Sequence, residues 1–290
     1  MSIAEKLATI AQNQQRVYDS GYEKGYETGK SEGGSSGVNK LAQLVDRSVT
    51  ELTAEDLAGV TEISDYAFYK CSGLTSIIIP DGVTRIGENA FCNCSKLTSI
   101  TMPDSVTSVG RYLFSGCTHI KSAVLSKNLA VMNEYMFQGC SYLENIIIPD
   151  SITDISTSVF KSCARLANIN IPNGVTIIRS EAFYGCKSLT SVFIPDSVKT
   201  IYSYAFQACT GLTSINIPNG VTKIGTSVFS DCTSMQYYDF TSHTAVPTLA
   251  HTNAFSSIPS TCEIRVPIAL VDEWKSATNW STYADNIVGV

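Results

Sequence analysis

Eight cysteines, Cys71, Cys94, Cys117, Cys140, Cys163, Cys186, Cys209 and Cys232, follow one another at intervals of 23 residues. A strict period of this length is the signature of a repeat array. It also changes what the cysteines mean. Ten cysteines in a chain of 290 residues would ordinarily raise a disulfide framework or a zinc site. Zinc clusters use close pairs such as C-x-x-C, and the one close pair here is Cys92 with Cys94.

Aligning the chain on these cysteines gives the pattern A-F-x-x-C-x-x-L-x-x-I-x-I-P-D-x-V-x-x-I. One column holds Phe68, Phe91, Phe114, Phe137, Phe160, Phe183, Phe206 and Phe229. A second runs from Leu74 and Leu97 to Leu212 and Met235, a third from Ile77 to Ile215, and a fourth from Ile79 to Ile217. Pro80, Pro103, Pro149, Pro172, Pro195 and Pro218 follow the fourth column, with Ser126 as the exception. Val83 and Ile86 begin a further pair that recurs to Val221 and Ile224.

Within "LTSIIIP" the apolar residues alternate, so Leu74, Ile77 and Ile79 are expected to face inward and Ser76 and Ile78 outward. Proline lacks the amide for the next ladder bond and ends the strand. "DGV" or "DSV" then turns the chain, and "GENAFCNC" is expected to return it as a short helical or 3₁₀ segment. One such coil cannot bury its apolar face alone, whereas stacked coils can. The expected fold is an α/β repeat, a solenoid with a parallel strand ladder, short helical or 3₁₀ turns and a cap at each end.

The cysteines follow the buried phenylalanines by three residues and read as a ladder of small buried hydrophobes. Inter-coil disulfides are the alternative, but parallel side chains rarely offer the ~90° torsion such a bond needs. Cys92 and Cys262 lie off the ladder and stay unassigned, with a free thiol open at Cys92.

The repeat resembles the leucine-rich repeats of BspA-like surface proteins of gut and oral bacteria, over roughly residues 60–239. That resemblance implies a leucine-rich-repeat solenoid and an adhesin that binds host matrix proteins or other cells. Relatives of this kind usually carry an export signal and wall-attachment features. Here "MSIAEKLATIAQNQQ" lacks a basic stretch followed by a continuous apolar one, so no standard secretory signal is expected. No apolar run approaches the ~20 residues that span a bilayer, so no membrane insertion is expected.

Four segments follow: 1–37, 38–59, 60–240 and 241–290. In 1–37, Ile3, Leu7, Ile10 and Val17 share a helical stripe, and Gly21, Gly25, Gly29 and Gly33 recur every fourth position before the "GGSSG" linker. The segment reads either as a frayed helix running into a flexible linker or as an attachment and homo-oligomerisation piece, with Gly21, Gly25 and Gly29 as close-approach positions. Its opening and "LVDRSVTELTAEDLAG" also resemble tail-associated proteins of phages and prophages of gut bacteria, which leave the cell by lysis. Segment 38–59 is the N-terminal cap, where Thr53 and Asp56 form a candidate capping box for a short helix. In 241–290, Phe255 and Pro267 echo the repeat, "CEIRVP" reads as a final strand, and "ALVDEWKSATNWSTYADNI" reads as an amphipathic helix anchored by Trp274 and Trp280.

Net charge is −6, with 20 Lys and Arg against 26 Asp and Glu, which argues against a nucleic-acid partner. No nucleophile elbow, phosphate loop or H-E-x-x-H is present. His119 sits in a column of freely varying residues, and His243 and His251 stand eight apart with no carboxylate or cysteine at ligand spacing. No catalytic site, metal or cofactor is expected. The stronger candidate is the outward strand row, Ile78, Thr101, Val124, Ile147, Asn170, Phe193, Asn216 and Asp239, flanked by Ser76, Ser99, Ser122, Asn145, Asn168, Ser191, Ser214 and Tyr237. Solenoid faces of this kind bind extended partners, while Ile and Phe also simply suit strands. The function expected is recognition of a protein or glycan ligand on a cell surface, by a module that is extracellular, cell-surface or virion-associated. A purely structural, oligomerising component of a larger particle is the alternative.

Overall fold

The computed structural model describes residues 50–290. Two columns of very short strands run along a solenoid, and every strand pair is parallel. The first column begins with β1 (Glu51–Leu52) and β3 (Ser76–Ile77) and continues through β5 (Ser99–Thr101), β7 (Ser122–Val124) and β8 (Asn145–Ile147). After the single-residue bridges Asn170–Phe193 and Phe193–Asn216 it resumes with β12 (Ser214–Asn216), β14 (Tyr237–Asp239), β16 (Glu263–Val266) and β17 (Ile287–Gly289). The second column is built on the Val83 and Ile86 pair. It contains β2 (Glu62–Ile63), β4 (Arg85–Ile86), β6 (Ser108–Val109), β9 (Asp154–Ile155), β10 (Ile177–Ile178), β11 (Thr200–Ile201), β13 (Lys223–Ile224) and β15 (Thr248–Leu249).

The second column breaks between Val109 and Asp154, in the coil that lacks the strand-ending proline. There Ser126 is fully buried, its hydroxyl accepts from Asn128 N at 3.1 Å, and the Asn133 side chain donates to Val109 O at 2.5 Å. Side-chain bonds take the place of a ladder step.

The inward residues are those the alternation assigns. Leu74, Ile77 and Ile79 are buried, as are all eight repeat phenylalanines. The rings stack in one continuous column, with centroids 5.1 Å apart for Phe68–Phe91 and 5.9 Å for Phe137–Phe160. This spacing exceeds the ~4.8 Å strand repeat because aromatic faces pack with an offset.

The third side of each coil corrects the expectation of a helical or 3₁₀ return: it is a run of turns. The residues two before and two after each phenylalanine have positive φ, for example Asn89 (54°) and Asn93 (61°), or Tyr204 (64°) and Ala208 (58°). Amides that a helix would use internally donate sideways instead. Tyr66 N bonds to Glu88 O at 2.8 Å, Phe68 N to Ala90 O at 2.7 Å, and Lys70 N to Cys92 O at 2.8 Å. Each left-handed L-residue costs roughly 1–2 kcal/mol, and the lateral bonds offset that cost. The inter-coil hydrogen bonds therefore run on three sides of the solenoid.

At the N-terminal end the Thr53 and Asp56 box forms, with Thr53 N donating to Asp56 Oδ2 at 2.9 Å and Asp56 N to Thr53 Oγ1 at 3.4 Å. It closes a turn that ends at Gly59 (φ 76°) and starts no helix. At the other end the amphipathic helix is broken. Only α1 (Val271–Ser276) is α-helical, and a 3₁₀ turn at Trp280–Tyr283 follows Asn279 in the left-handed conformation. The break lets Trp274 and Trp280 both point into the core, 4.6 Å apart, against Phe240. β16 is also not the last strand, because β17 pairs beyond it.

Candidate functional site

The first strand column places the outward row in register. Thr101, Val124 and Ile147 are successive partners, and Asn170, Phe193, Asn216 and Asp239 continue the line. Ile78 is 58% exposed, Val124 50%, Ile147 75% and Phe193 59%. Thr101, Asn170 and Asn216 are exposed, and Asp239 is half-buried, with Oδ1 accepting from Thr241 N and Oγ1. Adjacent partners in such a ladder lie ~4.8 Å apart, so Val124 and Ile147 form one contiguous apolar surface and Phe193 stands between two asparagines. The flanking row is parallel to it, with Ser99, Ser122 and Asn145 in one register and Ser214, Tyr237 and Glu263 in another.

Two residues that belong to this row were not legible in the repeat. Arg265 pairs with Asp239, and Val288 pairs with Arg265. Both come from the cap, which the 26-residue step from Asp239 to Arg265 shifts out of register with the repeat.

Beside the last strands the surface holds an open hollow of about 400 Å³, lined by Thr233, Ser234, Met235, Gln236, Tyr237, Pro259, Thr261, Glu263 and Arg265. Arg265 lies over the Tyr237 ring at 3.9 Å, and its Nε donates to Glu263 Oε2 at 2.8 Å.

All ten cysteines are buried and form no disulfide with one another. The ladder thiols have a role beyond filling space. Cys94 Sγ donates to Phe68 O at 3.0 Å and Cys117 Sγ to Phe91 O at 2.9 Å, and the pattern repeats to Cys232 and Phe206 at 3.3 Å. Burial raises these thiols, Cys186 and Cys232 to about 12. Burial likewise lifts Cys92 and Cys262 to about 12. They are unlike low-pKa reactive cysteines.

His119 is exposed on a turn and stacks on Tyr142 at 5.2 Å, whose ring also lies under Arg165 at 3.8 Å. His243 is buried among Phe240 and Trp274, and its Nε2 lies 3.1 Å from Ile217 O. Burial lowers its pKa. His251 is exposed, with Nδ1 accepting from Asn253 N at 3.2 Å. Among the described residues no three His, Cys, Asp or Glu side chains group to hold a metal ion, and no helix is long and apolar enough to cross a membrane. Gly21, Gly25 and Gly29 lie outside the described residues.

The family model for the BspA type leucine rich repeat region matches residues 61–190 and 153–273, in six copies. The N-terminal segment lies outside that match, and the comparisons do not support the expected likeness to phage tail proteins. A leucine-rich repeat protein of T. pallidum is similar at 28% identity with a TM-score of 0.54, over 60% of this chain and 82% of that one. A leucine-rich repeat protein from Bacteroides ovatus shows 25% identity and a TM-score of 0.42, over 77% and 76%. A leucine rich cell surface protein from Faecalibacterium prausnitzii shows 26% identity and a TM-score of 0.35, over 60% and 61%. No curated protein matches the sequence. With its 23-residue period, its parallel two-column ladder and a family match over most of its length, the chain belongs to the BspA-type leucine-rich repeat proteins.

Proposed function

We propose that the chain is a non-enzymatic recognition module that binds a protein on a cell surface through the outward strand row. One observation carries this reading. Ile78, Val124, Ile147 and Phe193 are large apolar side chains held in solvent in one row, on a framework that buries its repeat Leu, Ile, Phe and Cys columns. Exposed apolar side chains in a line mark interaction surfaces, and aliphatic groups favour a protein partner over a polyhydroxylated one. The ladder also makes the face rigid, which lowers the entropy cost of binding.

Display outside the cell accords with the surface association of BspA-like relatives. The N-terminal segment is then the attachment or oligomerising piece, whether to a cell envelope or to a phage particle. The test is to apply fluorescently labelled full chain to intact bacteria of its own community and, separately, to mammalian cells and matrix proteins. Saturable staining that is lost in Ile147→Glu supports the reading. Staining unchanged by both Ile147→Glu and Phe193→Glu removes the face from consideration.

A further inference from the structure

Near the C-terminal end of the strand face, where the repeat period changes, the surface carries a hollow. Register partners along the first column are 23 residues apart from Ser99 to Asn145 and from Asn170 to Asp239, but Tyr237 and Glu263 are 26 apart. The added residues lie before Phe255, which stacks on Phe229 across the longer coil, and beyond them Pro259 and Thr261 line a space of about 400 Å³ beside β14 and β16. That volume falls at the small end of the range for small-molecule sites. Seven of its nine lining residues carry a hydrogen-bonding side chain.

We infer that this hollow is a carbohydrate-binding site that takes a neutral sugar ring by a vicinal pair of hydroxyls. Arg265 and Glu263 are held against each other and point into the same space. The guanidinium is fixed on two sides, by the Tyr237 ring at 3.9 Å and by the Nε to Glu263 Oε2 bond at 2.8 Å. Its two Nη groups and Glu263 Oε1 have no hydrogen-bond partner among the described residues. Arginine is a donor only and an ionised carboxylate an acceptor only. One hydroxyl of a diol accepts from Nη while its neighbour donates to Oε1, so the pair matches adjacent hydroxyls. Because stacking and pairing have already ordered the guanidinium, little side-chain entropy remains to be lost on binding. Gln236, Thr261 and Ser234 surround this pair with further donors and acceptors.

The same geometry excludes two other uses. Arg265 and Glu263 cancel in formal charge, so a phosphate or carboxylate gains no net attraction. Glycoside cleavage generally needs two carboxylates across the bond, roughly 5–10 Å apart, and among the described residues Glu263 is the only carboxylate lining the hollow. The site binds and does not hydrolyse. It lies at the C-terminal end of the strand face, beyond the exposed apolar residues Ile78, Val124, Ile147 and Phe193, and stands whether or not they bind a protein.

The test is saturation-transfer NMR on the full chain with the methyl glycosides of glucose, galactose and mannose, each at millimolar concentration. At least one is expected to show transfer. Arg265→Lys and Glu263→Gln should each weaken that binding by about tenfold or more, the value of a hydrogen bond to a charged group. Both residues are half-exposed, and circular dichroism confirms that the variants fold. Ile147→Glu should leave sugar binding unchanged. Absence of transfer from all three glycosides overturns the inference. So does undiminished binding in both hollow variants, or displacement of the sugar by inorganic phosphate, which would mark an anion site.

Discussion

Cys163 Sγ donates to Phe137 O at 3.2 Å across the boundary between two coils. The same carbonyl accepts from Cys140 N at 3.1 Å within its own coil. The thiol therefore satisfies the second lone pair of a buried backbone oxygen. Cys163→Ala is expected to cost about 1–2 kcal/mol, combining a lost hydrogen bond with a small void. Thermal unfolding measured beside the wild type checks this.

Native thiols should be silent. With all ten cysteines buried and several raised to about 12 by desolvation, thiolate is scarce at about pH 8. A colorimetric thiol reagent should label none within minutes in buffer and all ten in denaturant. Rapid labelling of Cys92 in the native protein would show that it is exposed.

Ala208 has φ 58° and stands in the column that holds Gly116, Gly139 and Gly185 in other coils. Relief of left-handed strain outweighs the extra chain entropy of glycine, so Ala208→Gly is expected to raise stability by up to about 1 kcal/mol. In a helix the same substitution would cost about 1 kcal/mol. The sign of the change in denaturant midpoint thus reports on the turn geometry directly.

His243 is neutral in the fold because burial lowers its pKa. As pH falls through the unfolded value of about 6.5, the unfolded chain takes up a proton that the folded chain resists. Stability is therefore full above about pH 6.5 and is lost progressively below it, until the folded-state pKa is reached. His243→Gln keeps a donor near Ile217 O and cannot titrate. Its melting temperature should fall less than that of the wild type between neutral and mildly acidic buffer.

Ile147 and Phe193 are 75% and 59% exposed, so charging them removes little buried area. Ile147→Glu and Phe193→Glu should unfold within about 0.5 kcal/mol of the wild type while losing partner binding by tenfold or more, as a truncated interface anchor does. A large drop in stability would show that these side chains serve the fold.

The 23-residue period was enough to read the solenoid, the buried Leu, Ile, Phe and Cys columns, and the outward row from Ile78 to Asp239. The reason is physical: in a quasi-one-dimensional stack each residue meets its own equivalent in the next coil, so sequence spacing is spatial adjacency. Tertiary structure decided what spacing does not encode. The Phe68 and Phe91 segments look helical by composition, but their amides gain lateral partners in the next coil, which a single coil in isolation lacks. Trp274 and Trp280 share a helical pattern, yet both must plug one core end, and the chain breaks at Asn279 to let them. Arg265, Glu263 and Tyr237 come together only where the period fails, because contacts there are set by how the cap closes the stack.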